Sequence, residues 1–227
     1  HIYAGHFTKY VVDLSDNYYS IGWNMDHNKV IKSSTLFHFR IKQNKAPSDI
    51  LFIASPFYEK YNHYISMYRA NENVLHSIDF IDSFFQKIPN KLKQQIYYKG
   101  YRKSNLFKNR EDYYIHYKDK FKVLNPEVKA KGLMKNAKLL IIDYATTSYL
   151  EGLISDIPTL VLFDTSGYSL KAEHESFFKP LIDSGIFQTS PTTAAELLEK
   201  IYFDPIKWWK SDKVTNGKEQ FLKNIDN

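Results

Sequence analysis

The stretch LLIIDYATTSYLEGLISDIPTLVLFD, residues 139–164, contains two apolar runs with a polar, helix-like segment between them. The first run, residues 139–142, stops at Asp143, and Pro158 introduces the second run, residues 159–163. Apolar runs without polar alternation are typical of strands buried on both faces, which occur mainly in parallel sheets. The stretch therefore predicts a strand, a helix and a second strand of a parallel sheet.

The same alternation extends through most of the chain. Residues 50–54 form an apolar run closed by Ser-Pro, and apolar residues at helical spacing follow from 75 to 88, ending at Pro89. Further segments predict a strand at 94–101, helices at 128–136, 148–155 and 175–183 with Gly185 as a stop, and a last helix at 218–225. The sequence predicts an α/β fold: a Rossmann-like parallel sheet with helices on both faces.

Other segments give weaker local signals. YVVDL (residues 10–14) and KVIKSS (residues 29–34) resemble short strands, and residues 111–124 fit either a strand or a helix. Thr193 and Glu196 have the spacing of a capping box, which predicts a helix start there.

Composition narrows the function classes. The 227 residues include no Cys, which excludes disulfides, thiolate metal sites and a Cys nucleophile. No apolar stretch approaches the roughly 20 residues needed to span a bilayer, and no secretory signal opens the chain. We expect a cytoplasmic protein, and because the chain begins abruptly at His1, we expect a fragment of a longer one.

The formal net charge of +6 favours anionic partners such as phosphates, acidic glycans or an anionic membrane surface. The basic residues of the chain are scattered along the sequence, and neither zinc-finger spacing nor an RNA-binding aromatic signature is present. No nucleic-acid partner is therefore predicted. Lys91 and Lys93 are predicted to lie on a solvated helix face.

The turn between the strand predicted at 139–142 and the helix that follows it is the main candidate site. Ligands of parallel α/β sheets bind beyond the carboxyl ends of the strands, and a helix start there offers free amides and a positive dipole end. Thr146, Thr147 and Ser148 could admit a phosphate closely and add hydroxyl donors, while Glu151 could accept hydrogen bonds from sugar hydroxyls. Alternatively, Ser148 and Glu151 have capping-box spacing, which would explain both residues by helix stability alone.

A wider segment, LMKNAKLLIIDYATTSYLEGLISDIPTLVLFD, resembles the nucleotide-binding segment of GT-B glycosyltransferases. The likeness is to a bacterial family of surface-carbohydrate transferases, related more distantly to capsule Kdo transferases and CDP-glycerol glycerophosphotransferases. SDNYYSIGW, AEHESFFKPLIDSGIF and FDPIKWWK resemble other segments of that family, although Ile21 replaces a Trp of its pattern.

This resemblance implies a two-domain enzyme of which most of the N-terminal domain is absent here. Residues 1–45 would be a remnant of that domain, and residues 46–227 a donor-nucleotide-binding domain with a C-terminal crossing helix. By itself the fragment is expected to be inactive. Trp208 and Trp209 are expected to dock the terminal helix.

The resemblance also assigns roles to the candidate residues. Thr146, Thr147 and Ser148 would contact donor phosphate, Glu151 a donor sugar or ribose hydroxyl, and Asp143 would orient the loop.

Basic residues at the end of the strand predicted at 94–101 provide a further candidate. The resemblance places Lys99 where an Arg is common, and either Lys99 or Arg102 would pair with donor phosphate. The alternative is a solvated strand end.

The opening segment HIYAGHFTK resembles a glycine-rich cleft loop of the family, in which a His deprotonates the acceptor hydroxyl. His1 aligns with that His, although Ile2 and Tyr3 replace glycines, and His6 is the other choice. The alternative is a loop His without function. His116 and His174 have no metal-ligand spacing, so no metal site is predicted.

The implied activity is transfer of a sugar or polyol-phosphate group from a nucleotide sugar or CDP-polyol to a glycan or lipid-linked acceptor at the cell surface. It requires no cofactor beyond the donor, and the enzyme would work in the cytoplasm or peripherally at the inner membrane face. The alternatives are a nucleotide-sugar epimerase, for which Asp143 and Glu151 are the suitable carboxylates, and a non-catalytic nucleotide-sugar-binding domain.

Overall fold

The computed structural model describes residues 6–20, 28–32, 40–55, 57–58, 71–101, 107–108, 119–165 and 172–226. The helices are α1 His6–Leu14, α2 Asn71–Lys87, α3 Asn90–Lys93, α4 Ala130–Met134, α5 Thr147–Ile154, α6 Ala172–Asp183, α7 Pro191–Ile201, α8 Pro205–Trp209 and α9 Asp212–Asp226. The strands are β1 Tyr18–Ser20, β2 Val30–Lys32, β3 Asp49–Ile53, β4 Phe57–Tyr58, β5 Ile96–Lys99, β6 Phe107–Lys108, β7 Lys122–Val123, β8 Ala137–Ile142, β9 Thr159–Leu162 and β10 Phe187–Gln188.

Six strands form one sheet in the order β10-β9-β8-β3-β5-β7, and every pairing in it is parallel. The α/β fold with a Rossmann-like parallel sheet is thereby confirmed. Two small sheets accompany it, a parallel pair of β1 with β2 and an antiparallel pair of β4 with β6.

Both faces of the sheet are covered by helices, because neighbouring residues of each strand point to opposite cores. In β8, Leu140 and Ile142 belong to one core with residues of α4, α5, α6 and α9. Leu139 and Ile141 belong to the other core with residues of α2, α3 and α7. This two-sided burial explains why the strands lack polar alternation.

The order of the strands reverses between β3 and β8. The chain passes from β3 through β5 to β7 on one side, and then returns to place β8, β9 and β10 on the other side of β3. Such a reversal leaves a crevice at the carboxyl ends of the two central strands, which we call the switch point. Ile53 pairs with Ile142 at the end of this β3–β8 ladder.

The predicted strand at YVVDL is wrong, because residues 10–14 belong to α1. Its apolar residues recur at helical spacing as well, and Val12 is fully buried. The strand expected within KVIKSS is confirmed as β2. Of the ambiguous segment 111–124, residues 122–123 form β7, and residues 111–118 lie outside the described ranges.

The predicted capping box at Thr193 is wrong as well. Helix α7 begins at Pro191, and its N-cap is Ser190, whose hydroxyl accepts a hydrogen bond from the Thr192 amide. Proline at the first helical position fixes a helical φ and needs no amide partner, which explains the earlier start.

The C-terminal helices are held by a carboxylate beyond the end of α5. Asp156, with φ of 55°, accepts hydrogen bonds from Trp209 Nε1 at 2.8 Å and from Lys218 Nζ at 2.5 Å. The Lys218 ammonium also lies 4.5 Å from the centre of the Trp209 ring. The prediction that the tryptophan pair docks the terminal helix is confirmed for Trp209.

Candidate functional site

The candidate site lies at the switch point, where β8 gives way to α5. Four residues, 143–146, join the two elements, and Thr146 is the extended N-cap of the helix. The Thr146 side chain makes no capping hydrogen bond, although its carbonyl accepts one from the Tyr149 amide at 3.2 Å. The short connection brings the start of the helix to the carboxyl edge of the sheet.

The capping-box interpretation of Ser148 and Glu151 is wrong. A box requires its hydroxyl residue at the N-cap and its Glu three residues later. Here the N-cap is Thr146, so Ser148 is already the second residue of the helix. Helix capping therefore does not account for this pair of polar residues.

The first turn of α5 presents the groups that an anion needs. Amides in the first turn have no partner within their helix, and the helix dipole adds a partial positive charge. The side chain of Thr147 is exposed, and those of Thr146 and Ser148 are half-buried. Three hydroxyl groups thus accompany these amides at the carboxyl edge.

Asp143 joins the two central strands across the switch point. Its carboxylate Oδ1 accepts a hydrogen bond from the Ser55 amide at 2.8 Å, and the side chain is only 2% exposed. Ser55 follows β3, so the bond fixes the loop after β3 against the loop before α5. This geometry fits the predicted loop-orienting role of Asp143.

Glu151 lies one turn into α5 and is half-buried. Burial raises the pKa of its carboxyl group, and the nearby Lys131 ammonium opposes that rise. Lys131 belongs to α4, so Glu151 faces the helix that precedes β8.

Lys99 is the last residue of β5 and lies beside the end of β3. It is not a solvated strand end, because only 5% of it is exposed. Its ammonium group donates hydrogen bonds to the carbonyl oxygens of Gly100 and Pro126, the latter at 2.7 Å. Lys99 thereby joins the loops that follow β5 and β7.

Two polar residues at this edge, Ser55 and Asp164, were absent from the sequence-based site. Asp164 comes two residues after β9 and is 5% exposed. Each residue ends an apolar run, as Asp143 does, and that shared position is the signal by which they could have been found.

His1 and Arg102 lie outside the described residues, and His6 is the first residue of α1. Across the described ranges, no cluster of three or more His, Cys, Asp or Glu side chains could hold a metal ion. In the same part of the chain, no helix has the length and apolar character needed to cross a membrane.

The sequence matches no curated protein. Among solved structures, the chain is similar to the glycotransferase of kitacinnamycin, with 10% sequence identity and a TM-score of 0.37. The likeness covers 89% of this chain and 46% of that one, so this chain spans about half of that protein's length.

The profile of the LIC12162 family transferases matches residues 4–225, which is nearly the whole chain. The chain therefore belongs to the LIC12162 family of transferases.

Proposed function

We propose that this transferase moves a sugar or polyol-phosphate group from a nucleotide-activated donor to a glycan or lipid-linked acceptor of the cell surface. The observation that carries the proposal is the start of α5 at the switch point, with its amides and three hydroxyl residues. Family membership supports group transfer rather than epimerisation or binding alone.

The donor phosphates bind at the start of α5 in this mechanism. The amides of Thr147 and Ser148 and the hydroxyls of residues 146–148 donate hydrogen bonds to the phosphate oxygens. They stabilise the charge that develops on the leaving phosphate, as oriented donors do in other acyl- and phosphoryl-transfer sites. Positive charge at the helix start takes the part that a metal ion has in other transferases.

Glu151 binds a hydroxyl of the donor sugar or ribose. Its half-buried position supports this role, since a carboxyl group partly removed from water forms stronger hydrogen bonds with a ligand. Asp143 keeps the loop in place through Ser55 and takes no part in bond making.

In the transfer step, the acceptor hydroxyl oxygen attacks the donor's sugar carbon, or its phosphorus when a polyol phosphate is transferred. The bond from that atom to the nucleotide phosphate oxygen breaks, and the electron pair leaves with the nucleotide. A His of the opening segment, His1 or His6, accepts the acceptor's proton. Lys99 or Arg102 adds positive charge near the leaving phosphate, and Lys99 also holds together the loops after β5 and β7.

The donor site is tested by thermal-shift titration of the protein with CDP-, UDP-, GDP- and CMP-linked sugars and polyols. At least one donor class should raise the melting temperature. Thr147→Val should lower the affinity for that donor about tenfold, because it removes a hydrogen bond to a charged group. Thr192→Val is the matched control, because Thr192 is also an exposed threonine in the first turn of a helix, α7.

Glu151→Ala should weaken binding of the same donor while leaving the fold intact. If Glu151 binds the sugar, the variant should lose less affinity for the free nucleotide than for the donor. No shift with any donor class, or equal shifts in the Thr147 and Thr192 variants, would overturn the proposed site. Because the 227-residue chain is expected to be inactive by itself, these binding measurements test the donor site and not turnover.

A further inference from the structure

The amino edge of the sheet, where the strands begin, carries a surface that the donor site does not use. Helix α7 follows β10 at the carboxyl edge and returns to the amino edge, where it ends at Ile201. Helix α2 makes the same passage between β3 and β5, and it packs beside α7. The carboxyl ends of both helices therefore lie side by side at the amino edge.

Two apolar side chains project from this edge. Phe203 lies in the turn between α7 and α8 and is 85% exposed, the largest exposed fraction among the described large hydrophobic residues. Ile206 in α8 is 40% exposed. Trp209, three residues later, is buried and bonded to Asp156, so α8 is firmly attached while its other side faces solvent.

Exposed lysines lie at the same edge as these two side chains, with Lys200 and Lys207 beside them in the chain. We call the amino-edge patch the surface formed by Lys87, Lys91, Lys200, Phe203, Ile206 and Lys207, all of which are exposed. Residues 84–96 contain three lysines and no acidic residue. Exposed acids also lie at this edge: Glu199, Asp204, whose carboxylate accepts the Lys207 amide as the N-cap of α8, and Asp156, which is bonded to Trp209 and Lys218.

One lysine of this edge, Lys93, adds little to the exposed charge. Lys93, predicted to be solvated, is only 4% exposed. Burial lowers the pKa of its ammonium group, and the Lys120 ammonium lowers it further. Lysines in the last turn of a helix complement its dipole, which accounts for Lys87 and Lys200. It does not account for an exposed Phe in the middle of the charges.

We propose that the amino-edge patch binds the surface of an anionic phospholipid bilayer. Phe203 and Ile206 would enter the interface between headgroups and acyl chains, and the lysines would bind the headgroup phosphates. An aromatic side chain flanked by cations has the chemistry of that interface. This binding is independent of whether the opposite edge binds a nucleotide.

Orientation follows from this placement. With the amino edge on the bilayer, the start of α5 at the carboxyl edge faces the aqueous phase, from which a soluble donor arrives.

Vesicle flotation of the 227-residue chain tests the proposal. The chain should float with phosphatidylcholine vesicles containing about a third phosphatidylglycerol, should not float with pure phosphatidylcholine, and should lose binding as salt increases. Phe203→Ser should weaken binding about fivefold or more. Tyr19→Ser is the control, because Tyr19 in β1 is 63% exposed and lies outside the patch.

Charge reversal gives a second comparison. Lys207→Glu should weaken vesicle binding about tenfold, whereas Lys223→Glu, an exposed lysine in the second half of α9, should change it little. Unchanged melting curves would show that each variant is folded. Absence of flotation with anionic vesicles, or binding that Phe203→Ser leaves unchanged, would overturn the proposal, the latter because it would show that Phe203 does not enter the bilayer.

Discussion

At the scale of single residues, Glu151 differs from most surface carboxylates in being half-buried beside a candidate ligand site. Burial raises the pKa of its carboxyl group in the folded protein. The folded state therefore holds the proton of Glu151 more tightly than the unfolded state does. The stability that this proton contributes is present below the unfolded pKa and is lost as the pH rises through the raised folded pKa.

Glu151→Gln should change this pH dependence, because glutamine does not titrate. Relative to the wild type, the variant should gain free energy of unfolding as the pH rises from about 4, where an unfolded Glu ionises, and the gain should level off above the raised folded pKa. Urea unfolding of both proteins at several pH values measures the difference. If that difference is the same at all pH values, Glu151 does not have a raised pKa.

Asp143 makes a buried bond whose removal leaves the Ser55 amide without its acceptor. Asp143→Ala should lower the free energy of unfolding by about 1–3 kcal/mol, the usual cost of an unsatisfied buried group. Asp143→Asn keeps an oxygen at the Oδ1 position and should lose less free energy of unfolding. Urea unfolding of the two variants decides, and equal losses would show that the carboxylate charge, and not the bond to Ser55, matters.

At the scale of elements, α5 lies unusually close to the sheet at Gly152. A Cβ atom there would collide with the Thr159 Oγ1 atom of β9 and lie 3.1 Å from the Leu140 Cδ1 atom of β8. A residue without a side chain lets the helix pack directly on the two strands, and this contact fixes where the helix begins above the switch point.

Gly152→Ala should therefore lower the free energy of unfolding by about 1–3 kcal/mol through overpacking, and should weaken donor binding by displacing α5. Gly132→Ala in α4 is the matched control, since a Cβ atom there meets nothing within 4 Å. That control should stabilise the protein by about 0.5–1 kcal/mol, as alanine does in helices. Stabilisation by both substitutions would contradict the tight contact at Gly152.

Local pattern was sufficient for the elements that bury a long, regular face. The helix expected at 75–88 is observed as α2, and the strand expected at 139–142 lies within β8. The strand β10 was missed because it has two residues and is defined by pairing with β9, which local sequence does not show. Part of helix α1 was mistaken for a strand, because the five residues 10–14 fit both the alternation of a strand and the spacing of a helix.

At the scale of the whole molecule, the sequence predicted a parallel sheet and the position of the candidate turn within it. It did not predict the strand order, because the reversal between β3 and β8 depends on which strands pair over long distances. For the same reason it did not predict that Ser55 and Asp143, which are 88 positions apart, would meet across the switch point.

The two ends of the sheet have separate proposed tasks. The carboxyl edge carries the hydroxyl-rich start of α5, and the amino edge carries Phe203 and the exposed lysines of the amino-edge patch. Asp156 connects α5 to the C-terminal helices through Trp209 and Lys218, so the helix of the candidate site is attached at its far end to the part of the chain that carries the amino-edge patch.

The proposed transfer depends on the binding of donor phosphate to the first turn of α5. The most direct test is to follow the backbone amide resonances of an isotopically labelled sample during titration with the nucleotide-linked donor found by thermal shift. We predict the largest chemical-shift changes at Thr147, Ser148 and Ser55, with little change at Thr192 in the first turn of α7. Saturating binding that leaves the Thr147 and Ser148 amides unshifted would contradict the claim.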